Sequence, residues 1–272
     1  MQKSVSARGL PAYTTCTPEQ AQEYAEQTRQ GHRNLLSYEI FWRESYRFLE
    51  NRKIKVIDAT HASDGTRLMI KSVSRINNEI PITRLLSSKE LLADTCNHCV
   101  PVLDVLNDPF DLLEVLMVMP YLRPFDDLEF QTIGEVVDFV SQTLEGLYFI
   151  HRQGVTQRDC AAANIMMDSG PLFPPGHHPV QLDYTPDGVS YTSCFMRNQR
   201  PVRYYFIDFG LSSYFKPGEV LLAIGTKGRD KEPPERSDTR PYNPFPLDIF
   251  ILGNVYLKDL CKDMTGWTFS SL

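Results

Sequence analysis

The sequence predicts an α+β fold, with a small β-rich N-terminal lobe followed by a mostly helical C-terminal one. Three observations predict it. Two β-rich runs, Lys53–Asp58 and Arg67–Val73, flank Ser63-Asp64-Gly65-Thr66, whose residue types favour a hairpin turn. From Thr132 onward, apolar residues recur at helical spacing for several turns. The run Leu247–Leu257 is apolar on almost all sides, the mark of a helix buried in the centre of its lobe.

Composition fits such a chain. Its 272 residues suffice for one large domain or two lobes, and a hydrophobic content of 42% supplies a core. Lys and Arg number 28 against 34 Asp and Glu, and the net charge of −6 argues against nucleic-acid or membrane-surface partners. No apolar run reaches the roughly 20 residues of a membrane span, and the polar start Met1–Val5 lacks a signal-peptide core. The six cysteines are scattered through a chain too long to need disulfide staples. An intracellular protein, cytoplasmic or nuclear, is expected.

Residues 1–36 read as a polar extension with a helix over Pro18–Gln30. Between Ser37 and Asn51, Tyr38, Phe41, Trp42, Ser45, Phe48 and Leu49 share one helical face, so a packing helix is expected before the first strand. On the second strand Lys71 follows Leu68-Met69-Ile70, the pattern of a lysine that reaches nucleotide phosphates. Asp58 to Lys71 holds only Gly65, so the glycine-rich cover that lets backbone approach phosphates is missing. Asn78 is placed to cap a short helix opening at Glu79, with Pro81 tolerated in its first turn and Ile82, Leu85 and Leu86 apolar. Glu79 is the first candidate to pair with Lys71, and Glu90 the second.

Cys96-Asn97-His98-Cys99 has the look of half a zinc site, but four ligands are needed and no second Cys-x-x-Cys follows. A turn into a strand Val100–Leu106 is the simpler reading. Val115–Leu122 reads as a buried strand leading into Arg123-Pro124-Phe125-Asp126-Asp127. Thr132-Ile133-Gly134-Glu135 is a capping box for the long helix, whose buried face is read as Ile133, Val136, Val137, Val140, Leu144, Leu147 and a structural His151. Gly154 stops it. The Pro- and Gly-rich stretch 169–202 is too long for a plain loop and reads as a mobile segment or a binding appendage.

The chemistry centres on Gln157-Arg158-Asp159-Cys160-Ala161-Ala162-Ala163-Asn164. An aspartate followed five residues later by an asparagine is the spacing of a phosphotransferase catalytic loop. There the aspartate accepts a hydroxyl proton and the asparagine holds magnesium. Ile207-Asp208-Phe209-Gly210, after the β-rich Arg203–Ile207, places a second metal-binding carboxylate at a strand end.

Lys71, Arg158-Asp159…Asn164, Asp208-Phe209-Gly210, Pro233-Pro234-Glu235 and Asp248…Gly253 together resemble the eukaryotic protein kinase domain over residues 39–260. Phe41-Trp42…Phe48-Leu49-Glu50, Asn97–Pro101, Arg123–Asp127 and Arg158-Asp159-Cys160 are more closely similar to the fungal-type protein kinases of mushroom-forming fungi. The resemblance implies a bilobal protein-kinase-like fold. Residues 37–119 would form the N-lobe and 120–272 a partial C-lobe lacking its last helices. It implies ATP and Mg²⁺ as cofactors and a protein Ser/Thr hydroxyl as acceptor. Asp159 would be the catalytic base, and Asn164 and Asp208 the metal ligands. Lys71 would contact the α/β-phosphates with Glu79 as its anchor, and Met119, Tyr121 and Leu122 would hold the base at the hinge.

Arg158 would bind a phosphorylated activation segment between Asp208 and Glu235, where Ser212, Ser213, Tyr214 and Thr226 offer hydroxyls. Gln157 replaces the usual histidine, and Ala161 stands where serine/threonine kinases carry a phosphate-binding lysine. With the missing glycines these departures weaken γ-phosphate stabilisation, so a pseudokinase serving as a binding module is the alternative. A small-molecule kinase of the aminoglycoside-phosphotransferase type is a third reading. Few residues follow the apolar helix at Leu247–Leu257, so a protein partner is expected to cover it.

Overall fold

A computed structural model describes residues 38–39, 55–108 and 111–260. The helix expected over Pro18–Gln30 lies outside the described residues, as does nearly all of the one over Ser37–Asn51. Where the latter is described it is not helical. Tyr38–Glu39 is a short strand, β1, that pairs antiparallel with His61 and Thr60.

β2 (Val56–His61) and β3 (Arg67–Ser74) form the hairpin. The turn sets its register: the His61 amide donates to the Thr66 carbonyl at 2.8 Å, Asp64 Oδ1 accepts the Thr66 amide at 2.9 Å, and Gly65 takes a φ of +72°. These bonds carry β2 on to His61, three residues past the expected end at Asp58. Gly65 is therefore a hairpin glycine, unconnected with any phosphate cover. After β3 come α1 (Glu79–Leu86) and α2 (Lys89–Leu92), then β4 (Asp104–Asn107) and β5 (Glu114–Pro120). Asn78 precedes α1 but its side chain makes no capping bond, whereas Ser88 caps α2.

The sheet runs β1-β2-β3-β5-β4. Strand alternation divides its core. Ile57, Ala59, Leu68, Ile70, Leu116 and Val118 pack with Leu106 on one face, and Val73, Val115, Met117 and Met119 with Val100 on the other. β4 is shorter than the expected Val100–Leu106. The Val100 amide donates to the Phe206 carbonyl instead, and Pro101 has no donor.

The rest is built on β6 (Arg123–Pro124), α3 (Ile133–Arg152), β7 (Val155–Thr156), β8 (Ile165–Met167), β9 (Tyr204–Phe206), β10 (Ser213–Tyr214) and α4 (Pro244–Val255). β6, β8 and β9 make a three-stranded sheet, and β7 pairs with β10. Thr132 caps α3 by accepting the Glu135 amide, but Glu135 reaches back to the Gln131 amide at 2.7 Å instead of closing on Thr132.

The buried face of α3 agrees with the expected one at Leu147, and Val136 and Val140 pack against the core, but the face is rotated. Phe139, Thr143, Gly146, Leu147 and Ile150 face inward, while Ile133, Val137 and Leu144 are exposed. Gly146 explains the rotation. A Cβ there would stand 2.6 Å from His98 Cβ and 3.1 Å from Phe206 Cε2, so the helix approaches β9 along the one line where it has no side chain. Gly154, φ +71°, ends the helix where a Cβ would meet the Phe215 carbonyl at 2.3 Å.

The stretch 169–202 is packed onto the fold, contrary to the expectation of a mobile segment. Leu172 and Phe173 are buried in the main core, and the Arg197 guanidinium donates to the Phe125 carbonyl at 2.8 Å. That core also gathers Phe139, Phe149, Ile165, Phe206, Leu247 and Ile251, and reaches α1 through Ile82 and Leu86. α4 buries Leu247, Ile251, Leu252 and Val255 but leaves Ile249 and Phe250 exposed, as is Leu257 in the π-helical turn Tyr256–Leu260 that follows. Residues 261–272, the tail expected to give that helix too little cover, lie outside the described residues. Among the described residues no helix is long and apolar enough to cross a membrane.

Candidate active site

The loop between β7 and β8 is held from beneath by one buried acid. Asp248, on α4 and wholly buried, accepts the Gln157 amide at 2.9 Å and the Arg158 amide at 2.6 Å, and meets His151 Nε2 at 2.9 Å. Both amides therefore point inward, and Arg158 is left in the left-handed region at φ 65°. The Gln157 side chain braces the loop from the other side. Its Oε1 accepts the Asp159 amide at 2.7 Å, and its Nε2 donates to the Ile207 carbonyl at 3.0 Å. Gln157 thus orients the loop, while His151 is the satisfied structural histidine the pattern suggested.

Asp159 and Asn164 meet across this loop. Asn164 Nδ2 donates to Asp159 Oδ2 at 3.0 Å and to its carbonyl at 2.9 Å. Asp159 is nearly buried, and desolvation pushes its carboxyl above the ordinary range, against the pull of the Arg229 amide and the Arg236 charge.

Facing this loop is an ion triad. Lys71 Nζ lies 2.5 Å from Glu79 Oε1 and 2.9 Å from Asp208 Oδ1, so Glu79 is the partner and Glu90 is not. Burial lowers the lysine, but the two carboxylates outweigh it and hold the ammonium above its usual pKa. Burial also opposes ionisation of Asp208, yet Lys71 and the Gly210 amide outweigh it and hold this carboxyl low. Glu79 is pushed up by its burial, which Lys71 only partly offsets.

These residues suit a hard cation. Asp208 stands at φ 59° with a side chain 43% exposed, and its Oδ2 and Asn164 Oδ1 accept no hydrogen bond among the described residues. One carboxylate oxygen and one amide oxygen match the few protein ligands Mg²⁺ takes when substrate phosphates complete its shell. No group of three or more His, Cys, Asp or Glu able to hold a metal exists among the described residues. In Cys96–Cys99, Asn97 ties the turn to the Leu86 and Leu91 carbonyls, and His98 Nδ1 lies 2.8 Å from the Tyr204 carbonyl.

A cavity of about 520 Å³ joins the pieces, lined by Lys71, Glu79, Asp159, Asp208, Lys227 and Arg229 among others. Sequence reasoning missed its far wall. The Arg229 amide donates to Asp159 Oδ1 at 2.6 Å. Arg236 fastens the same strip by donating to the Lys227 carbonyl at 2.6 Å and the Arg158 carbonyl at 2.8 Å. The Arg158 guanidinium donates to the Ile224 carbonyl and the Tyr242 hydroxyl, both at 2.9 Å, with Ser213 Oγ 3.4 Å away. Ser212 is buried and donates to the Gln157 carbonyl, while Tyr214 and Thr226 are exposed.

Met119 and Leu122 pack with Val73, Val100 and Ile207 in an apolar cluster behind the cavity. Tyr121 turns the other way. Its hydroxyl donates to the Pro179 carbonyl at 3.1 Å, and its ring lies under Arg67 and beside His177. Arg67 and Arg123 donate to the carbonyls of His177 and Leu182, so the 169–202 insertion is clasped to the Pro120–Leu122 connection. Burial depresses His177 to about 4, leaving it neutral in that clasp.

No protein-family profile matches the chain. Over 133 residues it is 26% identical to serine/threonine-protein kinase TOS3 of Saccharomyces cerevisiae, covering 43% of this chain and 22% of that protein. Over 107 residues it is 28% identical to a probable CTD kinase subunit alpha homolog of Encephalitozoon cuniculi, covering 38% of this chain and 32% of that protein. The chain thus spans less than half the length of these relatives. The partial similarities support a protein-kinase-like relationship, with which the mixed α/β architecture and its sheet lobe are compatible.

Proposed function

We propose that the chain is a bilobal, fungal-type protein kinase domain, divided near residue 120, that transfers the γ-phosphoryl of ATP to a Ser/Thr hydroxyl. One observation carries the reading. Lys71, Glu79, Asp159 and Asp208, spread over the chain, line one cavity, and Asn164 is hydrogen-bonded to Asp159, an arrangement that supports phosphoryl transfer. Asp159 Oδ1 would take the hydroxyl proton as the acceptor oxygen bonds to Pγ and the Pγ–O bond to ADP breaks, its electron pair leaving with ADP. Lys71, oriented by Glu79, would hold the α/β-phosphates. Asn164 and Asp208 would hold Mg²⁺, which when bound neutralises phosphate charge.

A second reading, a pseudokinase acting as a binding module, draws on two facts. The Arg229 amide already occupies Asp159 Oδ1, and the sequence between β1 and β2, residues 40–55, contains no glycine. A radiolabelled ATP assay with Mg²⁺ separates the two. Asp159→Asn should lower transfer by on the order of 10²–10⁴, the worth of a positioned base. Equal rates for the two proteins would remove Asp159 from the chemistry.

A further inference from the structure

Arg229 stands on a border. It lines the cavity that holds Lys71, Asp159 and Asp208, and also a neighbouring groove of about 450 Å³ that runs over Ala161, Ala162 and Ala163 to Lys258. Of the residues lining these two spaces, Arg229 belongs to both. A phosphoryl group moving from a nucleotide in the first space to an acceptor in the second would pass this side chain.

The charges around it leave a task undone. Lys71 is already shared between Glu79 and Asp208. The loop from Asp159 to Asn164 contributes no cation of its own, since its middle is Cys160-Ala161-Ala162-Ala163. Arg229 is exposed, and its guanidinium makes no ion pair among the described residues. Its charge is nonetheless felt by both Asp159 and Asp208, which it helps to hold ionised.

Its backbone is fixed in place. The amide is bonded to Asp159, and Arg236 grips the strip on either side of the loop. The Thr226 amide donates to Asp238 Oδ1 at 3.0 Å. Gly228, φ +138°, makes room for the Arg236 guanidinium, whose nitrogen would lie 2.1 Å from a Cβ. The guanidinium fork, suited to phosphate oxygens, is thus carried from a fixed point of the backbone beside Asp159.

We propose that Arg229 engages the γ-phosphate of the bound nucleotide and stabilises it during transfer, supplying from the Asp208–Glu235 segment the cation that the Asp159–Asn164 loop lacks. This rests on the phosphotransferase reading above. The test measures ATP and ADP affinity with Mg²⁺ by calorimetry, and kcat and KM for ATP. The proteins are the full chain, Arg229→Ala, Arg229→Lys and the charge control Arg240→Ala.

Arg229→Ala should abolish any preference for ATP over ADP while ADP binding holds, and should lower kcat by on the order of 10²–10³, the cost of one transition-state donor. Arg229→Lys should retain part of both. An ATP-to-ADP affinity ratio unchanged in Arg229→Ala, or an equal loss in Arg240→Ala, would overturn the assignment. If the parent binds ATP without turnover, the kinase reading falls, and the affinity ratio still decides the role of Arg229. Binding of neither nucleotide would sink both.

Discussion

Asp248 is the residue on which the geometry of the 157–159 loop depends most heavily. Its two oxygens serve the amides of Gln157 and Arg158 and the His151 ring from a wholly buried position. Asp248→Asn keeps the shape but leaves one acceptor oxygen, and its amide group must face a donor. One amide loses its charge-assisted bond, worth about 1.5–3 kcal/mol, and the bonds that remain lose their charge, so the loss of stability should be about 3 kcal/mol. Against a total stability of roughly 5–15 kcal/mol that is a large fraction, and for a chain of this size the melting temperature should fall by on the order of 10 °C.

The effect should reach the site as well. Arg158 sits in the left-handed region, where holding a non-glycine residue costs about 1–3 kcal/mol, and its amide bond to Asp248 is what retains it there. Released, it would let Asp159 drift from Asn164, so nucleotide binding and transfer should weaken beyond the stability loss. Urea unfolding followed by far-UV circular dichroism measures the first effect, and calorimetric titration with ATP·Mg²⁺ the second. Asp138→Asn, an exposed acid on α3, should stay within about 0.5 kcal/mol of the parent. A loss under about 1 kcal/mol in Asp248→Asn would refute the idea that this carboxylate pins the loop.

Three further outcomes are expected. Gly146→Ala should destabilise by about 1–3 kcal/mol in urea titration despite the better helix propensity of alanine, because the new methyl meets His98 Cβ and the Phe206 ring. Asp208→Ala should remove the ATP-dependent thermal shift of the parent, as EDTA should, and a shift that survives EDTA would show that no metal is required. Transfer should decline as pH falls through the raised pKa of Asp159, since a base must be ionised, and this limb should move to higher pH in Arg229→Ala because the Arg229 charge holds that pKa down. Over the same descent Asp208, whose pKa is lowered by Lys71, keeps its stabilising pairing until the pH passes below the ordinary carboxylate range.

Much of the site was legible where the geometry is local. Asp159 and Asn164 lie five residues apart, and their side chains meet at 3.0 Å because a single turn of 3₁₀ helix over Ala162–Asn164 brings them round. Lys71 and Glu79, eight apart, join across the end of β3 and the start of α1. The hairpin turn, the Thr132 cap and the Gly154 stop were legible for the same reason, since each is settled by the φ preferences and side-chain oxygens of a few neighbouring residues.

Other features depend on the path of the whole chain. The buried side of α3 could be read only in part from its apolar pattern, which located Val136, Val140 and Leu147 but not the rotation, because that helix carries apolar residues on two faces and the absence of a side chain at Gly146 decides which one meets β9. Nothing in the composition of 169–202 tells that His177 would be held against Tyr121, and the Pro/Gly content that suggests mobility serves there to turn the chain back onto the connection after β5.

The sequence by itself determined which chemical groups are present and, through short-range spacing, that Asp159 and Asn164 share one loop and that Glu79 or Glu90 stands within reach of Lys71. Only the tertiary structure decided that Asp208 closes on Lys71 from 137 residues away, that Asp248 pins the Gln157 amide across 91, and that Arg229 reaches Asp159 across 70. The physical reason is that a spacing of a few residues fixes a distance through φ, ψ and hydrogen bonding alone. A separation of many tens of residues fixes none until burial of the common core has chosen one path for the chain between.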